Sequence, residues 1–235
     1  MLSRLIKYFI LVLAGIVISL YFVSRSRTFQ FFGNIISSVQ TDKKIVALTF
    51  DDGPTKYTAE VLGILSQYNI KATFFLTGSE MTQHPELVKQ ITMAGHSIGN
   101  HSYSHQRMLL KSSSFLEEEV RSTDSIIHAL GYTRPIYFRP PYCKKLFYLP
   151  YYLSKTGRTT VTWNIEPDSK PDIANNPRLI EEYVMTRIKP GAIILLHAMY
   201  ENRTSAREAL PGIIRGLKHR GYSFVTIDEL LVNKQ

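Results

Sequence analysis

Residues 44–54 read Lys-Ile-Val-Ala-Leu-Thr-Phe-Asp-Asp-Gly-Pro, and this stretch decides the fold. Its apolar residues are consecutive rather than alternating, the pattern of a strand covered on both faces of a parallel sheet. It stops abruptly at Asp51 and Asp52, followed by a Gly-Pro turn signal. Working outward, 58–69 carries apolar residues at helical spacing (Val61, Leu62, Leu65, Tyr68), and 72–78 is again strand-like. Helical patterns follow at 86–95, 114–131 and 205–221, the first two closing on Gly95 and Gly131. Pro211 predicts a kink or a late start in the last of these. Further strands are expected at 96–101, 136–141, 159–165, 192–198 and 223–227. Strands alternating with helices predict an α/β fold with about seven parallel strands, open or closed into a barrel. The body from about residue 41 to residue 235 suits one domain and is shorter than a full eight-fold barrel commonly is.

The N-terminus differs in kind. Between Lys7 and Arg25 lie 17 uncharged positions, YFILVLAGIVISLYFVS. As a helix they reach about 26 Å, against a hydrocarbon core of about 30 Å, with Lys7 and Arg25 able to snorkel across the shortfall. Tyr8, Tyr21 and Phe22 sit near the ends, where amphipathic rings favour the headgroups. The stretch runs into Tyr-Phe-Val and Ser-Arg-Ser-Arg, a poor signal-cleavage site. The reading is an uncleaved transmembrane helix, with residues 1–40 as anchor and linker and 41–235 as the folded domain. A buried core helix is the alternative. Arg4 and Lys7 on one side and Arg25 and Arg27 on the other leave the positive-inside rule nearly balanced.

Of the 235 residues, 44% are hydrophobic and 20% charged, which excludes a disordered chain. A single cysteine excludes an intramolecular disulfide framework and zinc ribbons. The formal charge is +9, and residues 1–40 hold four Lys/Arg and no acid. Spread over the remainder, the surplus reads as a solvated surface, or as attraction to an anionic polymer or membrane. No basic run or RNA-binding aromatic motif points to nucleic acid.

Polar residues collect where strands end: Asp51 and Asp52, His101, Arg139, Glu166 and Asp168, then His197. In parallel α/β folds the carboxyl ends of strands form the site. Neighbouring carboxylates on a strand point different ways, so one of Asp51 and Asp52 can bind a metal while the other acts as base; ordinary turn chemistry is the alternative. His101 and His105, four apart, share a face on one helical turn and with a carboxylate make a two-histidine, one-carboxylate set for Zn²⁺, Fe²⁺ or another first-row ion. Cys143 is read as a bystander rather than a nucleophile, and the sequons at Asn100 and Asn202 as incidental.

These residues carry a resemblance. The chain resembles the polysaccharide deacetylases of the NodB-homology type, carbohydrate esterase family four, over about residues 43–230. Thr49-Phe50-Asp51-Asp52-Gly53-Pro54 is similar to the family's first motif and His101-Ser102-Tyr103-Ser104-His105 to its second. Arg139-Pro140-Pro141-Tyr142 resembles the third, and Leu195-Leu196-His197 the fifth. The resemblance implies a distorted (β/α) barrel and a divalent metal, usually Zn²⁺, with Co²⁺, Mn²⁺, Ni²⁺ or Fe²⁺ as alternatives. It implies Asp52, His101 and His105 as metal ligands, Asp51 as general base, Arg139 orienting Asp51, and His197 as general acid. It further implies that the Tyr142 backbone N–H helps hold the oxyanion and that Trp163 and Leu195 wall the acetyl pocket. The fourth motif departs. The segment Trp163-Asn164-Ile165-Glu166-Pro167-Asp168 places Glu166 where the family has its first aspartate, and Asp168 one position early. Either could support His197, and Asp168 is favoured.

The expectation is a metal-dependent hydrolase removing N-acetyl groups from an extracytoplasmic polysaccharide, with peptidoglycan first, in a single-pass membrane protein that acts as a monomer. Tyr103, Tyr142, Trp163 and Tyr200 are candidates for stacking on sugar rings. The alternatives are a catalytically degenerate glycan-binding or scaffolding member and a small-molecule amidase of the same fold.

Overall fold

The computed structural model describes residues 2–233. The outer ends of the two expected segments, residue 1 and residues 234–235, lie outside the described residues. The chain opens with helix α1 (Leu2–Ser24). Its stretch Arg4–Ser24 is long and apolar enough to cross a membrane, and its large apolar side chains from Leu5 to Phe22, apart from Leu20, are exposed.

The body contains strands β1 (Ile35–Ile36), β2 (Ile45–Asp51), β3 (Thr73–Leu76), β4 (Ser97–Asn100), β5 (Thr160–Val161), β6 (Ala192–Leu196) and β7 (Ser223–Val225). Helices α2 (Thr58–Gln67), α3 (Gly78–Gln83), α4 (Pro85–Met93), α5 (Ser113–Ala129), α6 (Tyr148–Lys155), α7 (Pro177–Arg187), α8 (Thr204–His219) and α9 (Ile227–Val232) connect and cover them. The result is an α/β fold whose strand ladders are all parallel.

β2 is the hub. It pairs with β6 along Val46–Phe50, with β7 at its start and with β3 at its end. β4 extends the sheet from β3. Single parallel bridges then join Asn100 to Phe138, Phe138 to Thr160, and Ile165 to Ile194 of β6. Alternation along the strands sorts their side chains into two cores. Val46, Leu48, Phe50, Phe74, Leu76, Ile194 and Leu196 pack with the covering helices. Ala47, Phe75, Ile193 and Leu195 pack on the other side with Val161 and Trp163. Because Phe50 is level with both Phe74 and Leu196, and Leu76 with Asn100, neighbouring strands end at one edge.

Three expectations need correction. Residues 136–141 form no strand beyond the bridge at Phe138. Pro135, Pro140 and Pro141 lack the N–H that a ladder requires. α8 runs unbroken from Thr204 through Pro211; Ala206, Ala209, Leu210, Ile213 and Ile214 are buried on both sides of the proline and hold the helix by packing. Residues 26–39, expected as part of a linker, fold onto the domain. β1 pairs with β5, and Val39 N–H donates to the Gly191 carbonyl at 2.9 Å. Gly191 has φ +75°, and a Cβ there would stand 1.8 Å from the Val39 carbonyl oxygen, so only glycine permits the approach.

Candidate active site

Asp51 is the last residue of β2 and is buried. Its Oδ1 accepts from Arg139 Nη1 at 2.5 Å. Arg139 is fully buried, and each of its three nitrogens has a partner. It donates from Nε to the Val161 carbonyl (3.1 Å), from Nη2 to the Thr162 carbonyl (3.1 Å), and from Nη1 also to Thr49 Oγ1 (2.9 Å). Its guanidinium lies 3.9 Å from the Phe75 ring centroid. A buried cation needs such a set of partners to offset its desolvation. Burial alone would raise the Asp51 pKa, but Arg139, His101 and His197 outweigh it and hold the carboxyl below its ordinary value.

Asp52 follows in a left-handed conformation, φ 71°. Its Oδ1 lies 3.2 Å from His105 Nε2 and 3.7 Å from His101 Nε2. The ligand atoms of Asp52, His101 and His105 all lie within 4.8 Å of one another. His101 Nδ1 bonds the Arg139 carbonyl at 2.7 Å. As donor there, it leaves Nε2 as a lone pair facing Asp52. Burial is the largest influence on His101 and lowers its pKa, favouring the neutral, ligating form.

The 101–105 segment is a loop, not the helical turn expected from the i, i+4 spacing. Ser102 and His105 both have positive φ. Two residues unforeseen in the sequence hold it. Asn100 accepts from Ser102 N–H and donates to Val120 and Asp124. Glu119 of α5 accepts from the N–H groups of Tyr103 and Ser104 and from the Ser104 hydroxyl. An acid among Leu116, Val120, Thr123 and Ile127 on the buried face of α5 was the available signal.

The donor set can be tested against a metal. Asp52 Oδ1 is buried and has no hydrogen-bond partner, an arrangement that costs free energy unless something else binds the oxygen. Two convergent imidazole nitrogens and this carboxylate oxygen fit a divalent first-row ion.

His197 directly follows β6. Its backbone N–H donates to Asp168 Oδ2 at 2.5 Å, and its Nδ1 lies 3.3 Å from Asp168 Oδ1. Burial opposes protonation, but Asp168, with Asp52 and Asp51 behind it, pushes the imidazole pKa up to about 9. Glu166 takes a different place: its Oε2 accepts from Trp163 Nε1 at 2.7 Å and from Arg27 Nη2 at 2.5 Å.

Asp51, Asp52, His101, His105, Tyr142, Trp163 and His197 line one cleft of about 640 Å³. Tyr142 has φ 56° and lays its ring 4.7 Å from that of His105. Leu195 is fully buried in the cluster that contains Trp163 and is not part of the cleft lining. Tyr200 also lines the cleft, its hydroxyl donating to Glu80 at 2.6 Å. Arg25 and Arg27, read in the sequence only as a basic flank, line it as well. Cys143 is buried, and burial pushes its thiol pKa up, away from nucleophile character. Asn100 is fully buried, which leaves no room for a glycan.

Residues 38–161 match the model of the family described as polysaccharide deacetylase. The chain is 35% identical over 202 residues to a peptidoglycan-N-acetylglucosamine deacetylase of Bacillus cereus, covering 85% of this chain and 93% of that protein. It is 33% identical to the peptidoglycan-N-acetylmuramic acid deacetylase PdaA of Bacillus subtilis, covering 83% and 74%. Among solved structures, a peptidoglycan N-acetylglucosamine deacetylase superposes with TM-score 0.79 at 32% identity, over 85% of this chain and 94% of that one. A carbohydrate esterase family four pseudoenzyme of Bacillus anthracis superposes with TM-score 0.77 at 30% identity, over 85% and 69%. With a family model spanning more than half the chain and relatives of this identity along most of their length, the chain belongs to the polysaccharide deacetylase family.

Proposed function

We propose that this protein is a divalent-metal-dependent N-deacetylase of an extracytoplasmic glycan, with peptidoglycan as its substrate and α1 as its membrane anchor. The strand ladders and the single bridges at Phe138 and Ile165 are read as a distorted (β/α) barrel. One observation carries the functional reading: Asp51 stands 3.6 Å from His101 Nε2 at the edge of the Asp52–His101–His105 cluster, with His197 on the same cleft.

Asp52, His101 and His105 would hold the ion, which supplies Lewis-acid polarisation of the amide and a more acidic water. The residues themselves divide the remaining work. Asp51, kept ionised by Arg139, accepts the proton of the attacking water. His197, kept protonated at neutral pH by Asp168, gives its proton to the departing amine, which leaves poorly without it. The half-exposed left-handed turn at Tyr142 brings backbone beside the cluster, where a donor can meet the oxyanion. Water and an N-acetylated sugar become acetate and a free amino sugar.

The test is acetate release from N-acetylated peptidoglycan fragments by the metal-loaded chain, with and without chelator, and mass spectrometry of the glycan. Loss of one acetyl per modified sugar, abolished by chelation, is the expected result. Binding without acetate release would favour the degenerate reading, which the altered fourth motif supports because Glu166 is engaged elsewhere.

A further inference from the structure

The segment leaving α1 is built into the cleft wall. Lys145 N–H donates to the Ser24 carbonyl at 3.0 Å and its buried ammonium donates to the Ser26 carbonyl. Thr162 Oγ1 donates to the Arg27 carbonyl at 2.6 Å. These bonds fix the backbone at Ser24, Ser26 and Arg27, on both sides of Arg25, and the side chains of Arg25 and Arg27 line the cleft.

The charges of the wall do not cancel. Asp51 is paired with Arg139 and Glu166 with Arg27. Asp52 faces the two histidines. Arg203, also on the wall, donates to the Asp168 backbone carbonyl and, among the described residues, has no carboxylate partner. Arg25 likewise has none. It lies 5.1 Å from the centroid of the Tyr21 ring and donates to its hydroxyl, neutral contacts that steady the guanidinium without spending its charge. An N-acetyl sugar is uncharged, so a cleft with two unneutralised guanidiniums is mismatched to a plain amino-sugar polymer. It matches one that also carries an anion.

We infer that Arg25 is a binding residue for a carboxylate borne by the glycan, so that the site prefers an acidic N-acetyl amino sugar over a neutral one. The inference rests on the N-deacetylase reading of the cleft. The guanidinium fork suits a planar carboxylate, to which it can donate twice.

The test uses the full chain in detergent micelles with Asp51→Asn as background, so that ligand is not consumed. Calorimetry compares an N-acetylmuramic acid-containing disaccharide with the same disaccharide whose lactyl carboxylate is converted to its methyl amide. The expected preference for the free acid is about tenfold in Kd. Arg25→Gln should collapse that ratio to within about twofold, and Arg25→Lys should keep part of it. An equal ratio before and after Arg25→Gln, or no preference at all in the background, overturns the inference. Acetate release by the chain with Asp51 intact is followed in parallel. Its absence on both ligands counts against the deacetylase reading, while the Kd ratio still decides the role of Arg25.

Discussion

The Arg27 guanidinium reaches the Glu166 carboxylate at 2.5 Å across 139 residues of sequence, and the same Glu166 oxygen accepts from the Trp163 indole. This acid of the divergent fourth motif therefore secures the N-terminal segment and an aromatic wall, while Asp168 alone engages His197.

The two acids should separate in a pH–rate profile. His197 titrates at about 9 with Asp168 beside it. The stabilisation of its charged form is complete below about 6.5, the unfolded value, and is lost as pH rises through about 9. Asp168→Asn should lower kcat by on the order of 10²-fold and move the alkaline limb downward by at least one pH unit. Glu166→Gln should leave that limb in place. An unmoved limb in Asp168→Asn would show that another group is the acid.

Metal content should divide the aspartates. His101→Ala and Asp52→Ala should lose both bound metal, read by elemental analysis, and turnover. Asp51→Asn should retain metal while kcat falls by roughly 10³-fold. Stoichiometric metal in His101→Ala would contradict the ligand set.

His96 makes a prediction about stability, remote from the chemistry. It is 3% exposed, its Nδ1 accepts from Ala72 N–H at 3.1 Å, and burial, aided by Lys71, lowers its pKa to about 4. The unfolded chain binds this proton first, so stability should fall as pH drops from about 6.5 toward about 4, by on the order of 3 kcal/mol. Urea midpoints measured between pH 7 and 4.5 should decline more steeply for the parent than for His96→Gln.

A single methyl should disturb the site from behind. A Cβ on Gly99 would stand 2.4 Å from the Phe75 ring, and that ring underlies the Arg139 guanidinium. Gly99→Ala should cost about 1–3 kcal/mol in chemical denaturation and also lower kcat by displacing Arg139 from Asp51. Unchanged stability would mean that Phe75 yields freely.

The parts of this fold written in short-range pattern were legible. β2, β3 and β6 are largely apolar runs, β4 is a short segment opening on Ser97 and Ile98, and α2, α4 and α5 follow helical spacing, so each was expected within a few residues. β1 is two residues long and takes its stability from β5, which no local pattern announces. α7 was missed although its start is marked: Asn176 caps Arg178 and Leu179, with Pro177 in the first turn. At the site, Asp51, Asp52 and His101 could be brought together from their places at strand ends, and His105 from its spacing to His101. The resemblance put Leu195 on the wall of the acetyl pocket, and the alternation along β6 by itself does not tell cleft from core. Arg27 and Glu166 were unreadable as a pair, since nothing near either residue encodes a contact over that separation.

The docked N-terminal segment also sets how far the enzyme can reach. Stretched at about 3.3 Å per residue, residues 25–39 would give a leash on the order of 50 Å, enough to let a tethered catalyst roam through the inner layers of a wall. Pinned by Lys145, Thr162 and Gly191, that length is reeled in. With α1 in a bilayer, the chemistry would happen at one fixed stand-off from the lipid.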